Sequence, residues 1–383
     1  MTDYILSIII PTKNRQFYCK KAVEQILNIN NPSIQIVIQD NSDDNSLHDE
    51  MLALGSAQVK YHYHSGVISF VDNFSEAITL ADGKYLCMIG DDDGVLPNII
   101  DAVHLAEEQG YDAIIPGLNS VYCWPTPTPF IKNAEKGYLC LSFLKQEKYE
   151  IDPHYGLIQL MKSAGQNYQS LDLPRIYHGI VAKTALESVN GKTGKYFGGL
   201  TPDIYMSVAL GVVCEKVCRL RYPITVSGMC PKSGSSDSAT GKHTGKLEDA
   251  PHFRGHSSYE WDKKAPRIYS VESIWAETAL QALKDFNETD IYNMFRVDRL
   301  DAICLWKYPQ FKDIIRRHAK EHRVSTLKLY LLKFYLQYNK IIKSVLRKVF
   351  RKKNSVKKYY QVAEIKDAVD LTQSLLGKLE INK

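Results

Sequence analysis

Tyr85-Leu-Cys-Met-Ile-Gly-Asp-Asp-Asp-Gly94 passes from an unbroken apolar run to three consecutive carboxylates. The apolar half reads as a strand buried on both faces. Similar runs precede it at Leu6–Ile10, Ile34–Ile38 and Val59–Tyr63, and follow it at Ala113–Pro116, Ile176–Ala182 and Arg221–Val226. Between them, Phe17–Leu27, Phe70–Leu80, Asn98–Gln109 and Asp203–Gly211 carry apolar residues at helical spacing. Buried strands alternating with helices predict an α/β fold, with a mostly parallel sheet flanked by helices.

The 383 residues are 44% hydrophobic and 24% charged, enough for a large core and about two domains by length. The first is expected at 1–262 and the second, helical, at 263–383. The pattern weakens over 117–175, where Trp124-Pro-Thr-Pro-Thr-Pro129 excludes a helix. Residues 227–258 hold little apolar content and are expected to form a flexible loop carrying Lys232, Lys242, His243, Lys246, His252, Arg254 and His256. No secretory leader and no apolar run of about 18 residues is present, which predicts no membrane-spanning helix and a cytoplasmic protein. The eight cysteines are scattered, and the spacing of Cys214 and Cys218 has no zinc-like second pair, so free buried thiols are expected.

Net charge is +5, yet residues 323–360 hold twelve Lys or Arg and no acid, which leaves the rest at −7. Within that segment Leu327, Leu331, Phe334, Tyr338, Ile341, Val345 and Val349 step by three or four. A basic helix with one apolar stripe suits an anionic membrane surface. It predicts peripheral attachment to the inner face of the plasma membrane, close to a lipid-linked acceptor. No recognised motif supports nucleic acid as a partner.

Ligands of open α/β sheets bind beyond the carboxyl ends of the strands. Three such ends are polar here: Pro11-Thr-Lys-Asn-Arg15, Gln39-Asp-Asn-Ser-Asp-Asp-Asn-Ser46 and Gly90-Asp-Asp-Asp-Gly94. Adjacent carboxylates at the end of an apolar strand repel one another and lose hydration, and a hard divalent cation relieves both. Mg²⁺ or Mn²⁺ is therefore the expected cofactor.

Ser7-Ile-Ile-Ile-Pro-Thr-Lys-Asn-Arg15, Val37-Ile-Gln-Asp-Asn-Ser42, Asn73, Gly83-Lys-Tyr-Leu86 and Gly90-Asp-Asp-Asp-Gly-Val-Leu-Pro97 stand in the order and spacing of a known family. Together they resemble the family-two inverting glycosyltransferases of the GT-A fold, of bacterial surface-polysaccharide type. The resemblance implies a nucleotide-sugar donor, typically a UDP-sugar, with Pro11 and Thr12 lining its pocket. Asn14, Arg15, Ser42 and Asn73 stand on the same motifs, and Asp40 would accept from the base. Asp91 and Asp92 would meet the ribose and the metal-bound diphosphate. Asp92 and Asp93 are the expected metal ligands, with Asp92 favoured. Lys13 and Arg15 add positive charge beside the departing diphosphate. This chain departs from the pattern at Gly90, where many relatives carry a further Asp.

Inversion needs a general base opposite the leaving group. Gly198-Gly-Leu-Thr-Pro-Asp-Ile-Tyr205 resembles the family's segment for it, which points to Asp203, with Pro202 in place of the usual Glu. Asp172 is a weaker rival. His178 fits an acceptor contact and a core histidine equally well. The acceptor implied is a glycan or lipid-linked glycan, and a homo-oligomer is compatible with the sequence. Two other functions compete with this one. A sugar-phosphate nucleotidylyltransferase needs a glycine-rich first loop, which Pro11–Arg15 lacks. A non-catalytic scaffold of a membrane-bound polysaccharide assembly complex suits the basic helix but leaves the acidic triplet and Asp203 without a role.

Overall fold

The computed structural model describes residues 4–127, 131–142, 145, 147–231, 244–245, 247, 259–349 and 356–381. The expected basic loop residues from Lys232 to His256 lie outside these.

The first half alternates as the periodicity demands. Strands β1 (Leu6–Thr12), β2 (Ile34–Asp40), β3 (Val59–Tyr63) and β4 (Tyr85–Met88) pair in parallel, with β1 between β2 and β4. Helices α1 (Gln16–Leu27), α2 (Ser46–Ala53) and α3 (Phe70–Thr79) connect them. The short strand β5 (Gly94–Val95) follows the acidic triplet and leads into α4 (Ile99–Gln109). All of β1, β2 and β4 is buried, so their branched residues pack against helices on both faces.

Beyond α4 come β6 (Ala113–Ile115), β7 (Ser120–Cys123), β8 (Tyr138–Leu141), β9 (Lys148–Ile151) and α5 (Pro153–Lys162). Then follow β10 (Ile180–Ala182), α6 (Lys183–Thr193), α7 (Pro202–Val213), β11 (Val217–Leu220) and β12 (Thr225–Met229). The main sheet has eight strands in the order β3-β2-β1-β4-β10-β6-β11-β9. Strand β10 runs antiparallel between β4 and β6, which makes the sheet mixed in its second half.

Three expectations shift here. The run Ile176–Ala182 is not one strand: His178 has φ +64° and the chain turns there before β10. A Cβ on Gly179 would lie 2.0 Å from the Arg175 carbonyl oxygen, so this turn tolerates only glycine. Of the run Arg221–Val226 only Thr225 and Val226 join a strand, β12; β11 ends before it at Leu220, and Pro223 in the turn between has no N–H for a ladder. The described residues of 117–175 hold three strands of four residues each, too short for a period-two signal.

After residue 262 the chain is mostly helical, with helices Val271–Asp285, Val297–Lys307, Lys312–Glu321 and Thr326–Val349. Helix Val271–Asp285 packs on α7 and shares one core with it. The basic segment 323–360 does not form one continuous helix. Its end, Lys357–Tyr360, is a strand paired antiparallel to β8. That strand completes a second sheet in the order Lys357–Tyr360, β8, β7, β12, β5. Helix Ile365–Ile381 then covers it, with Ile365, Ala368 and Val369 buried against Leu96, Tyr122 and Trp124. All eight cysteines are free thiols.

Candidate active site

Strands β1, β2 and β4 end side by side, and their register brings Thr12 opposite Asp40. The acidic triplet lies just past β4 and is almost wholly withdrawn from water: Asp91 is 0%, Asp92 4% and Asp93 2% exposed. Each carboxylate meets a different set of donors. Asp91 accepts from Thr12 Oγ1 at 2.6 Å and pairs with Arg15 at 2.7 Å. Burial opposes the Arg15 charge, but Asp91 and Asp92 outweigh it and hold the guanidinium protonated. Burial pushes the Asp91 carboxyl up, and Arg15 pulls it back.

Asp92 accepts from the Cys230 amide at 2.9 Å, while its other oxygen is 3.8 Å from Arg15, beyond hydrogen-bond reach. Its carbonyl oxygen accepts from Trp124 Nε1 at 2.9 Å. Asp93 turns inward. Its oxygens accept from the amides of Gly90 and Gly228, both at 2.6 Å, and from the Tyr177 hydroxyl at 3.3 Å. Asp93, expected as a metal ligand, pegs the triplet to β12 here, with a backbone amide on each of its oxygens. Burial and the neighbouring Asp92 raise its carboxyl well above the usual range.

Pro11 is buried within β1 next to Thr12. Asp40 is fully buried and accepts from the Ser42 amide at 2.8 Å, the Ser42 hydroxyl at 2.5 Å and the Tyr61 hydroxyl at 2.9 Å. Ser42 Oγ in turn accepts from the Asn14 amide at 2.8 Å. Asn14 has φ +55°, a left-handed conformation that asparagine tolerates better than most residues. Its side chain exchanges hydrogen bonds with Asp43, so the loops after β1 and β2 are locked together. Lys13 Nζ reaches Asn41 Oδ1 at 3.1 Å. Asn73, on α3, is 7% exposed and its buried Oδ1 has no hydrogen-bond partner among the described residues. An unpaired buried acceptor costs free energy unless a ligand or water reaches it.

Asp203 stands in the first turn of α7, directly after Pro202. It is half-buried, and its Oδ2 accepts from the Tyr168 hydroxyl at 2.5 Å. Burial raises its carboxyl above the ordinary value, with Tyr168 acting in the other direction. Asp172 is paired with Arg219 at 2.8 Å, which leaves it a neutralised acid. His178 is buried, bonded through Nδ1 to Thr225 and 3.5 Å from Asp93 through Nε2. Burial pushes its imidazole down to about 3, with Arg175 adding to the shift, so it stays neutral and serves the core.

Among the described residues, no three His, Cys, Asp or Glu gather where a metal ion would sit. Asp92 alone of the triplet keeps an oxygen clear of short hydrogen bonds. One carboxylate with phosphate oxygens and water is nevertheless a normal Mg²⁺ environment. The sequence reading missed Tyr168, Trp124, Tyr177 and Gly228. Of these only Gly228 left a signal, as a glycine inside a strand where another backbone comes close.

Residues 7–156 match the family described as "Glycosyl transferase family 2". This stretch is a family-two glycosyltransferase domain. The matched segment holds Thr12, Asp40 and the whole triplet, while Asp203 and the helices after residue 262 lie beyond it. A curated relative, the GalNAc(5)-diNAcBac-PP-undecaprenol beta-1,3-glucosyltransferase of Campylobacter jejuni, is 29% identical over 115 residues. That alignment takes in 28% of this chain and about a third (35%) of the relative. Crystal structures of S. aureus TarS 1-349, alone and in complex with UDP-GlcNAc, are 13% identical with TM-scores of 0.47 and 0.45. Each spans 87% of this chain and 91% or 92% of its own.

Proposed function

We propose that the chain is an inverting glycosyltransferase that moves a sugar from a nucleotide-sugar donor, a UDP-sugar, onto a lipid-linked or glycan acceptor in surface polysaccharide or glycolipid synthesis. The observation that carries this is the convergence of Thr12, Arg15, Asp40, Asp91 and Asp92 at one sheet edge within a family-two glycosyltransferase domain. The relative that acts on an undecaprenol-linked glycan supports a lipid-linked acceptor.

In this reading Asp40 and Asn73 meet the nucleoside, and Arg15 stands beside the leaving diphosphate. Asp203 takes the proton of the acceptor hydroxyl as the new bond forms at the anomeric carbon. Mg²⁺ or Mn²⁺, held by Asp92 and the diphosphate oxygens, would supply Lewis-acid stabilisation of the leaving group. The test is a panel of nucleotide sugars, with and without Mn²⁺, read by thermal shift and by release of nucleoside diphosphate. A UDP-sugar that raises the melting temperature and is turned over supports the reading. No turnover of any donor with any lipid-linked glycan overturns it.

The helix Thr326–Val349 supports a place at the membrane surface. Leu327, Leu331, Phe334, Tyr338, Ile341 and Val345 are all exposed along one stripe, while Leu329, Leu332 and Leu336 face the helical core. The helix contains no acidic residue, and two copies of so basic a helix repel one another. Among the described residues no helix is long and apolar enough to cross a membrane. Cosedimentation with phosphatidylglycerol vesicles, abolished by Phe334→Ser with Ile341→Ser and absent with phosphatidylcholine, is expected. Equal loss of dimer in ultracentrifugation, with no vesicle binding by the native protein, would assign the stripe to a second copy.

A further inference from the structure

We propose that Tyr168 is a positioning residue for the catalytic carboxylate, fixing which oxygen of Asp203 faces the acceptor hydroxyl and setting the pH at which that oxygen is free. This rests on the assignment of Asp203 as the base. Its hydroxyl donates to Asp203 Oδ2 at 2.5 Å, the length of a charge-assisted bond. A carboxylate so held cannot rotate without breaking that bond.

The surrounding structure is built to keep Tyr168 still. Its ring is 4% exposed and stands edge-on to Trp275, centroids 5.2 Å apart. It opens a turn, Tyr168–Ser170, entered through Asn167 at φ +61°. Two guanidinium groups grip the backbone of that turn. Arg175 donates to the Gln169 carbonyl at 2.9 Å and to the Pro116 carbonyl at 3.0 Å. Arg219 donates to the Leu171 carbonyl and pairs with Asp172. Arg175 is itself buried with two carbonyls as its partners, an expensive placement for a cation. That cost is intelligible if the turn must not move.

Tyr168 is also the ionisable group that meets Asp203 directly. On the elements packed against α7, several other charged groups are engaged elsewhere, Lys284 with Asp262 among them. Glu272 pairs with Lys307, Glu277 accepts from Tyr259, and Asp285 pairs with Lys195. Lys183 of α6 donates to the Ala81 carbonyl, and Glu76 of α3 meets His64. Asp152, which caps α5, accepts from the His154 and Tyr155 amides.

The experiment compares native enzyme, Tyr168→Phe and Asp203→Asn in a steady-state transfer assay across pH. Removing a donor to the ionised carboxylate raises its pKa, so the acid limb of the kcat profile in Tyr168→Phe should move up by about one pH unit. At the pH optimum kcat should fall about ten-fold, with donor Kd and melting temperature close to native. Native kcat and an unmoved acid limb in Tyr168→Phe, with Asp203→Asn inactive, overturn the role of Tyr168 and leave the base assignment intact. Full activity in Asp203→Asn overturns the base assignment instead. If Tyr168→Phe does not fold, 3-fluorotyrosine at 168 gives the test with opposite sign. Its more acidic hydroxyl is a stronger donor and should move the acid limb down, and no movement counts against the proposal.

Discussion

The amide of Gly228 donates to Asp93 Oδ1 at 2.6 Å across 135 residues of chain. The approach leaves no room for a side chain, because a Cβ on Gly228 would lie 1.8 Å from the Asp92 carbonyl oxygen. Strand β12 thus sets the position of the triplet by backbone contact.

Gly228→Ala should therefore push β12 off the triplet. Overpacking against backbone costs about 1–3 kcal/mol, so the denaturant midpoint should fall and donor binding should weaken. A variant with native stability and native donor affinity would mean that β12 and the triplet are not rigidly coupled.

Arg15 is the counter-ion that lets Asp91 stay buried and charged. Its removal leaves an uncompensated charge, which costs roughly 3 kcal/mol or more. Arg15→Ala should melt well below native, and Arg15→Ala with Asp91→Asn should recover part of the loss. Additive losses in that double-mutant cycle would show that the two side chains do not interact.

The two candidate bases separate cleanly. Asp172 is already ion-paired with Arg219, whereas Asp203 accepts from the neutral Tyr168 hydroxyl and has no ion pair among the described residues. Asp203→Asn should lower kcat at least about 100-fold with donor affinity unchanged. Asp172→Asn should stay within a few-fold of native. The reverse ranking would transfer the base role to Asp172.

The helical region carries its own pH dependence. His318 bonds Asp301 through Nδ1 at 2.8 Å and the Lys263 carbonyl through Nε2 at 2.9 Å. Two acceptors require a doubly protonated ring. Burial opposes that charge, but Asp301 outweighs it and raises the imidazole above its ordinary value. The stabilisation is therefore complete below the unfolded value of about 6.5 and is lost as pH rises through the raised folded value. Thermal melts from pH 6 to 9 should fall more steeply for the native protein than for His318→Gln. Parallel curves would show that the ring is neutral throughout.

Truncation after Val349 removes strand Lys357–Tyr360 and helix Ile365–Ile381, which share a core with Trp124 and Leu96. The truncated protein should lose donor binding along with solubility, although the lost residues lie about 200 positions along the chain beyond the matched segment, which they pack against. Full donor affinity in a soluble truncated protein would contradict this coupling.

How far the sequence could be read follows from where each signal lives. The parallel strands β1, β2 and β4 were legible because their apolar runs are continuous and end in polar loops. Thr12, Asp40, Asp91 and Asp92 were legible as the residues just past those runs. The second sheet was not, since it joins β7, β8 and β12 to residues 357–360, and such pairing leaves no local period. Tyr168 was hidden for the same reason, with its partner Asp203 35 residues away. The inward turn of Asp93 depends on Gly228, and three adjacent aspartates look alike until a distant amide chooses one.

Strand Lys357–Tyr360 and the helix after it also fix a timetable. The wall that backs the acidic loop joins residues 120–141 and 225–229 to residues 357–381, so a growing chain on the ribosome has the triplet long before it has the scaffold that seats it. Seating of the triplet must then wait for residues 357–381 to emerge, and a half-synthesised molecule holds three buried-to-be carboxylates with an unfinished wall behind them.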